Sequence, residues 1–267
     1  MDEKEVATNS KSLSRREVIA LAGISGTALI IGCGGGGSST TTAATAATAS
    51  STTGTTGTAT GGCTVSPEGE IGPYFADDSA SGFLRSNVLA NIDGTNAQTG
   101  VPLTLNIYIY DAENSCKAMA GVQVDIWHCN AYGVYSDEAV ESTSSETFLR
   151  GYQITDANGL VTFKTIFPGW YSGRTAHIHV RVRSKYSEAS STSDGTNTTQ
   201  LFFPQTVIDQ LYANVAPYST HGKEDTTNTA DHVYTGETHA EMLLTLTGDY
   251  LSGYSTTASI YLPITAK

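Results

Sequence analysis

The chain has 267 residues and a formal net charge of −12, with 14 Lys and Arg against 26 Asp and Glu. That balance excludes a strong electrostatic grip on a phosphate backbone or an anionic lipid surface, so no nucleic acid and no basic membrane patch is expected. The length allows one large domain or two small ones, but composition removes part of it from any core.

Residues 1–33 read as an export signal. Arg15-Arg16 precedes an uncharged run over residues 18–31, which suits a secretory h-region and falls short of the roughly 20 residues a spanning helix needs. Ser14-Arg15-Arg16-Glu17-Val18-Ile19 resembles a twin-arginine signal, and Ile30-Ile31-Gly32-Cys33 resembles a bacterial lipoprotein cleavage box. Lipidation at Cys33 would make an acyl anchor the protein's one tie to a membrane. Residues 34–62 contain only Gly, Ser, Thr and Ala, a flexible tether with a reach on the order of 30 Å. Residues 63–267 are left to form the folded domain. In an oxidising compartment a disulfide is expected among Cys63, Cys116 and Cys129. Cys116 and Cys129 sit at opposite ends of a presumed strand, too far apart to pair, and Cys63 with Cys129 is the preferred pairing.

Residues 64–93 show no sustained periodicity and read as a long arm over the domain surface, with Gly72-Pro73-Tyr74-Phe75 as a turn followed by aromatics. Leu103, Leu105, Ile107 and Ile109 then alternate with polar residues and Tyr, a half-buried strand. Val122, Val124 and Ile126 alternate likewise, and the two runs are expected to form a hairpin. A loop follows, with Gly133 and Tyr135. Residues 149–155 and 160–166 read as a second hairpin across Asp156-Ala157-Asn158-Gly159, since Asn and Gly tolerate positive φ. The strand over residues 176–183 carries His177 and His179, and residues 184–199 form a polar excursion. Residues 206–215 are the single helix expected, with Val207, Ile208, Leu211, Tyr212 and Val215 on one face. A long loop over 218–238 and strands over 241–247 and 259–264 complete an all-β fold, a β-sandwich with long loops and one short helix.

Residues two apart on a strand share a face, so His177 and His179 can aim both imidazoles at one point while Ile178 packs the other way. Tyr171 lies six residues earlier, and Tyr135 follows another strand. Singly these are ordinary residues: a His-x-His pair is often incidental, and tyrosines on β-proteins commonly pack with a wet hydroxyl. As a set, two phenolates and two imidazoles suit a hard trivalent ion such as Fe(3+). Two tyrosinates would leave a net charge of about +1, still attractive to a dianionic substrate.

Five ordered motifs carry a resemblance. They are the stretch from Ile126-Trp127-His128-Cys129 to Tyr135-Ser136, Arg150-Gly151 through Thr155-Asp156, Phe163-Lys164-Thr165-Ile166, Pro168-Gly169-Trp170-Tyr171, and Arg174-Thr175-Ala176-His177-Ile178-His179. Together they resemble the intradiol ring-cleavage dioxygenases, especially their short exported members. The resemblance implies a ferric site with Tyr135 and His177 equatorial and Tyr171 and His179 axial. It also implies a catechol and O2 as substrates, with ring opening to a muconate-type diacid. Tyr171 would leave the metal and take a proton, Arg174 would stabilise negative charge on the ring, and Gln200 would stand behind Arg174. Gly72, Pro73 and Tyr74 would line the substrate pocket, while Asn228 and Asp231 read as structural. No counterpart is seen of the helical region through which catechol-cleaving members associate, so the oligomeric state is left open. The competing expectations are a catalytically silent surface binding module on the same fold and a Cu(II) or Zn(II) site.

Overall fold

The computed structural model describes residues 63–76, 81–183, 197–236 and 239–263. The export signal and tether expected over 1–62, and most of the polar excursion, lie outside the described residues. Among the described residues nine strands form two sheets. β1 (Pro102–Asp111), β2 (Lys117–Ala118), β5 (Leu160–Ile166), β8 (Leu246–Asp249) and β9 (Gly253–Leu262) make one, in the order β2-β1-β9-β8 with β5 also against β1. β3 (Gln123–Trp127), β4 (Arg150–Ile154), β6 (His177–Arg183) and β7 (Asn197–Phe202) make the other, in the order β4-β3-β6-β7. All neighbours are antiparallel except β1 and β9.

The alternation read from β1 is the alternation the core uses. Leu103, Leu105, Ile107 and Ile109 join Val124, Ile126, Ile178, Val180 and Val182 from the opposite sheet in one buried cluster. This is the expected β-sandwich. The expected helix is α1 (Gln205–Asn214), which buries Ile208, Leu211 and Tyr212. Two single-turn helices, α2 (Tyr218–His221) and α3 (His232–Thr235), occupy the stretch read as a loop. The first late strand starts at Leu246 rather than 241, because residues 239–242 form a 3-10 turn.

Both expected hairpins are corrected. β1 and β3 lie in different sheets, and so do β4 and β5. The Asp156–Gly159 turn does form, with Gly159 N donating to Asp156 O at 3.0 Å. It carries the chain across the sandwich, since β4 pairs with β3 and β5 with β1. A turn signal specifies a reversal of direction; which sheet each strand joins is decided by longer-range pairing.

The disulfide is corrected too: Cys63 pairs with Cys116, and Cys129 is free and buried. Ser66 N donates to Tyr261 O, and Tyr261 is in register with Tyr110 at the far end of β1. The arm therefore begins beside the turn that holds Cys116. A cavity of about 430 Å³ lies there, bordered by both cysteines, Ser66 and Tyr261 and by none of the expected metal ligands.

One face of the four-stranded sheet meets the core, and its other face is polar yet also buried. All seven residues of β6 are buried. The arm covers this second face: Phe75 lies edge-on to Trp127 and beneath the guanidinium of Arg181, and Glu70 O accepts from Gln200 Nε2. The expected site residues occupy this covered face.

Candidate metal and active site

Sheet register sets the site out in a row. Trp127 on β3 is in register with His179 on β6, and His179 with Gln200 on β7. The Trp127 indole stacks on the His179 ring at 4.8 Å and 5°, fixing the plane of that imidazole. His177, two residues along, faces the same way. Its Nδ1 lies 2.6 Å from Thr175 O, so Nδ1 carries the proton and Nε2 keeps a lone pair. That Nε2 is 3.2 Å from His179 Nε2 and 3.4 Å from the Tyr171 hydroxyl.

Tyr171 reaches the histidines because two loops pack closely. Gly133 has φ +78° and approaches Trp170 O so nearly that a Cβ there would lie 2.0 Å from it. Only glycine allows the Tyr135 loop to rest against the Tyr171 segment. The rings of Tyr135 and Tyr171 are then 5.7 Å apart, and Tyr135 is 6.4 Å from His179. The Tyr135 hydroxyl is buried without a hydrogen-bond partner among the described residues.

The wall beside these donors is the expected Gly72-Pro73-Tyr74 turn. Gly72, at φ +69°, sits against His179, where a Cβ would be 3.0 Å from Cε1. Tyr74 stacks on Tyr135 at 4.3 Å and meets Tyr171 edge-on at 5.3 Å. Arg174 lies on the other side. Its Nη2 donates to Gln200 Oε1, its Nη1 lies 3.4 Å from the Tyr171 hydroxyl, and its Nε donates to Asp231 Oδ2 at 2.8 Å.

Burial dominates the electrostatics. Desolvation holds the His177 and His179 pKa values well below the ordinary histidine value, so both are neutral donors. Desolvation raises the Tyr135 and Tyr171 pKa values, with the Arg174 charge opposing it. Arg174 goes the other way: desolvation would lower its pKa but is outweighed by Tyr171 and Asp231, which raise it. Two imidazole lone pairs and two phenols, one orphaned, thus converge in a dry site. A multivalent cation would satisfy the orphaned hydroxyl and favour both phenolates, so the donor set fits a ferric ion. Among the described residues no three His, Cys, Asp or Glu side chains are grouped to hold a metal; the tyrosines are what enlarges the donor set here.

The structure brings Tyr135, Tyr171, His177, His179, Arg174, Gln200, Gly72 and Tyr74 together. Sequence reading missed the depth of Asp231, read as structural. It accepts from Arg174 Nε and Thr175 N while its other oxygen caps α3 at Val233 N and Tyr234 N. Asn228 likewise accepts from Thr175 Oγ1. Both lie more than fifty positions from their partners, a separation for which local pattern carries no signal.

Comparison with known proteins follows the same segments. The Dioxygenase family model matches residues 71–220, more than half of the chain. The chain is 29% identical to a catechol 1,2-dioxygenase of Candida albicans over 132 residues, covering 42% of this chain and 41% of that protein. It is 30% identical over 107 residues to a catechol 1,2-dioxygenase of Acinetobacter baylyi, covering 40% and 32%. The match thus spans less than half the length of either relative. Among solved structures, an intradiol ring-cleavage dioxygenase from Tetranychus urticae superposes with a TM-score of 0.61 at 28% identity, covering 75% of this chain and 95% of that one. The dioxygenase domain of a dioxygenase carbohydrate-binding protein fusion from Streptomyces sp. SirexAA-E gives 0.51 at 28% identity, covering 75% and 99%. The matched span holds the four converging donors and Arg174, and on it this chain belongs to the intradiol dioxygenase family.

Proposed function

We propose that this chain is a non-haem Fe(III) intradiol dioxygenase that opens catechol-type rings between the two hydroxyl-bearing carbons. Both atoms of O2 enter the product, a muconate-type diacid. The observation that carries the reading is the convergence of Tyr135, Tyr171, His177 and His179 at one buried point with Arg174 beside it. When bound, the ferric ion would supply Lewis acidity that holds the catechol as its dianion.

The remaining chemistry belongs to the chain. As the phenolate, the Tyr171 oxygen would take a catechol proton, and Arg174 Nη1, 3.4 Å away, would steady that oxygen. Arg174 is aimed at negative charge developing on the ring, and a fixed cation in a dry site lowers the barrier to such a step. Gln200 and Asp231 hold the guanidinium so that it need not reorganise. Tyr74 and Gly72 would bound the ring on the His179 side.

We further propose export and anchoring through Cys33. The Cys63–Cys116 disulfide supports an oxidising compartment. The test of function is iron-loaded protein exposed to catechol and O2. A tyrosinate-to-iron charge-transfer band in the visible and a muconate product are expected; full iron occupancy with neither would overturn the reading. For the anchor, Cys33→Ala should move the protein from membrane to soluble fractions.

A further inference from the structure

One buried cation next to the site is not used by the chemistry above. Arg150, the first residue of β4, is 4% exposed. It extends the cross-sheet row, because Arg150 is in register with Trp127, and Trp127 with His179. Its guanidinium donates from Nε to Ser136 Oγ at 2.8 Å, from Nη2 to Ser136 O at 2.7 Å and from Nη1 to Tyr74 O at 2.6 Å. Its central carbon is 5.8 Å from the centre of the Tyr135 ring. One side chain thus grips the residue after Tyr135 and the backbone of Tyr74, whose ring stacks on Tyr135.

We propose that Arg150 is a positioning residue: it fixes the Tyr135 oxygen relative to His177 and His179 and locks Tyr74 to the same frame. His179 is set by strand register, whereas Tyr135 stands on a loop. The loop has to be referred to the sheet at the right distance, and Arg150 does so from two strands away. Only a planar fork serves three acceptors on two separate segments; a lysine ammonium on a flexible stem does not reproduce it. The Tyr135 carbonyl is held from the other side by Thr143 Oγ1 at 2.6 Å, so freeing the guanidinium should shift the phenol without releasing the loop.

This inference rests on the function proposed above, and the experiment separates the two. Wild type, Arg150→Lys, Ser136→Ala and Arg85→Lys are compared by thermal unfolding, iron affinity, the visible band and the split between kcat and KM. Arg85 is the control. It ties the arm to the backbone at the start of β4, through Arg150 O, and to the loop before it, through Thr147 O, but touches none of the site side chains. Arg150→Lys should weaken iron binding roughly 10–100-fold, as for a group orienting a metal ligand, shift the band, and raise KM through Tyr74. Ser136→Ala, which loses one acceptor, should move the same quantities less and covers the case in which the lysine variant does not fold. Arg85→Lys should lose stability while keeping wild-type band and iron affinity. If Arg150→Lys keeps wild-type band and affinity, or Arg85→Lys changes them equally, the positioning role is overturned. A wild type that binds iron without the band overturns the functional reading instead, and this inference with it.

Discussion

Asp231→Asn isolates the group that aims Arg174. The carboxylate is fully buried and accepts four hydrogen bonds, two at each oxygen. Asparagine keeps the shape but has one acceptor oxygen. If that oxygen keeps capping α3, its NH2 group faces the N–H groups of Arg174 and Thr175, donor against donor. Two unit charges about 4 Å apart at an effective dielectric near 20 interact by ~4 kcal/mol. Breaking a buried pair costs roughly 3–5 kcal/mol. The Arg174 side chain is 11% exposed and recovers some hydration, so about 3 kcal/mol is expected. Denaturant unfolding at pH 7 reads this term. The sign follows from the lowered folded-state pKa of Asp231, where desolvation is outweighed by Arg174 and the backbone donors. Its stabilisation is present above the unfolded carboxylate value and lost as pH falls through the folded one. A guanidinium left with Gln200 and the long contact to the Tyr171 hydroxyl loses its aim, so kcat with catechol should fall about 10²–10³-fold, the scale of a lost oxyanion donor. Unchanged kcat in a destabilised variant would refute the claim that Asp231 aims Arg174; unchanged stability would refute the pair itself.

Four further outcomes are expected. Tyr171→Phe should abolish turnover while iron stays bound by the other three donors; retained activity, measured by oxygen uptake, excludes its proton-accepting role. His128, fully buried between Cys129 O and Thr165 Oγ1, has its pKa lowered to about 4 by desolvation. Between pH 6.5 and about 4 the unfolded chain takes a proton that the native imidazole refuses, so stability falls with acid by ~1.4 kcal/mol per pH unit. His128→Gln should flatten the profile there, and an unaltered slope contradicts the assignment. Cys63→Ser with Cys116→Ser opens a loop with a sequence separation of 53. It should cost up to ~4 kcal/mol by loop entropy. Cys129, its thiol pushed up to about 12 by burial, should resist a thiol reagent until unfolding; fast labelling of the native protein would show that it is accessible.

Much of the site was legible because its chemistry is local. His177, Ile178 and His179 declare by period two that both imidazoles share a face, and the structure keeps that geometry to a 3.2 Å approach. Tyr171 and Arg174 fall within the same short stretch, and Pro168-Gly169 marks the turn that delivers them. The alternation of β1 named its own buried face, and the apolar side of α1 was readable to within a residue at either end.

What only tertiary structure decided are the pairings that cost loop closure. The Asp156–Gly159 turn formed as its residues require, yet β4 and β5 parted into different sheets, because a turn fixes local dihedrals and hydrophobic pairing elsewhere fixes partners. Cys63 met Cys116 because the arm runs along the end of β9, a path no spacing encodes. In the sequence Arg150 reads as part of a strand and Asp231 as a structural residue in a long loop. Each touches the site through partners 14 to 76 positions away. The sequence by itself determined which residues could bind a metal and which face of the strand they share. The folded sandwich decided which other side chains hold them there, since a buried charge is placed by whatever distant groups satisfy it.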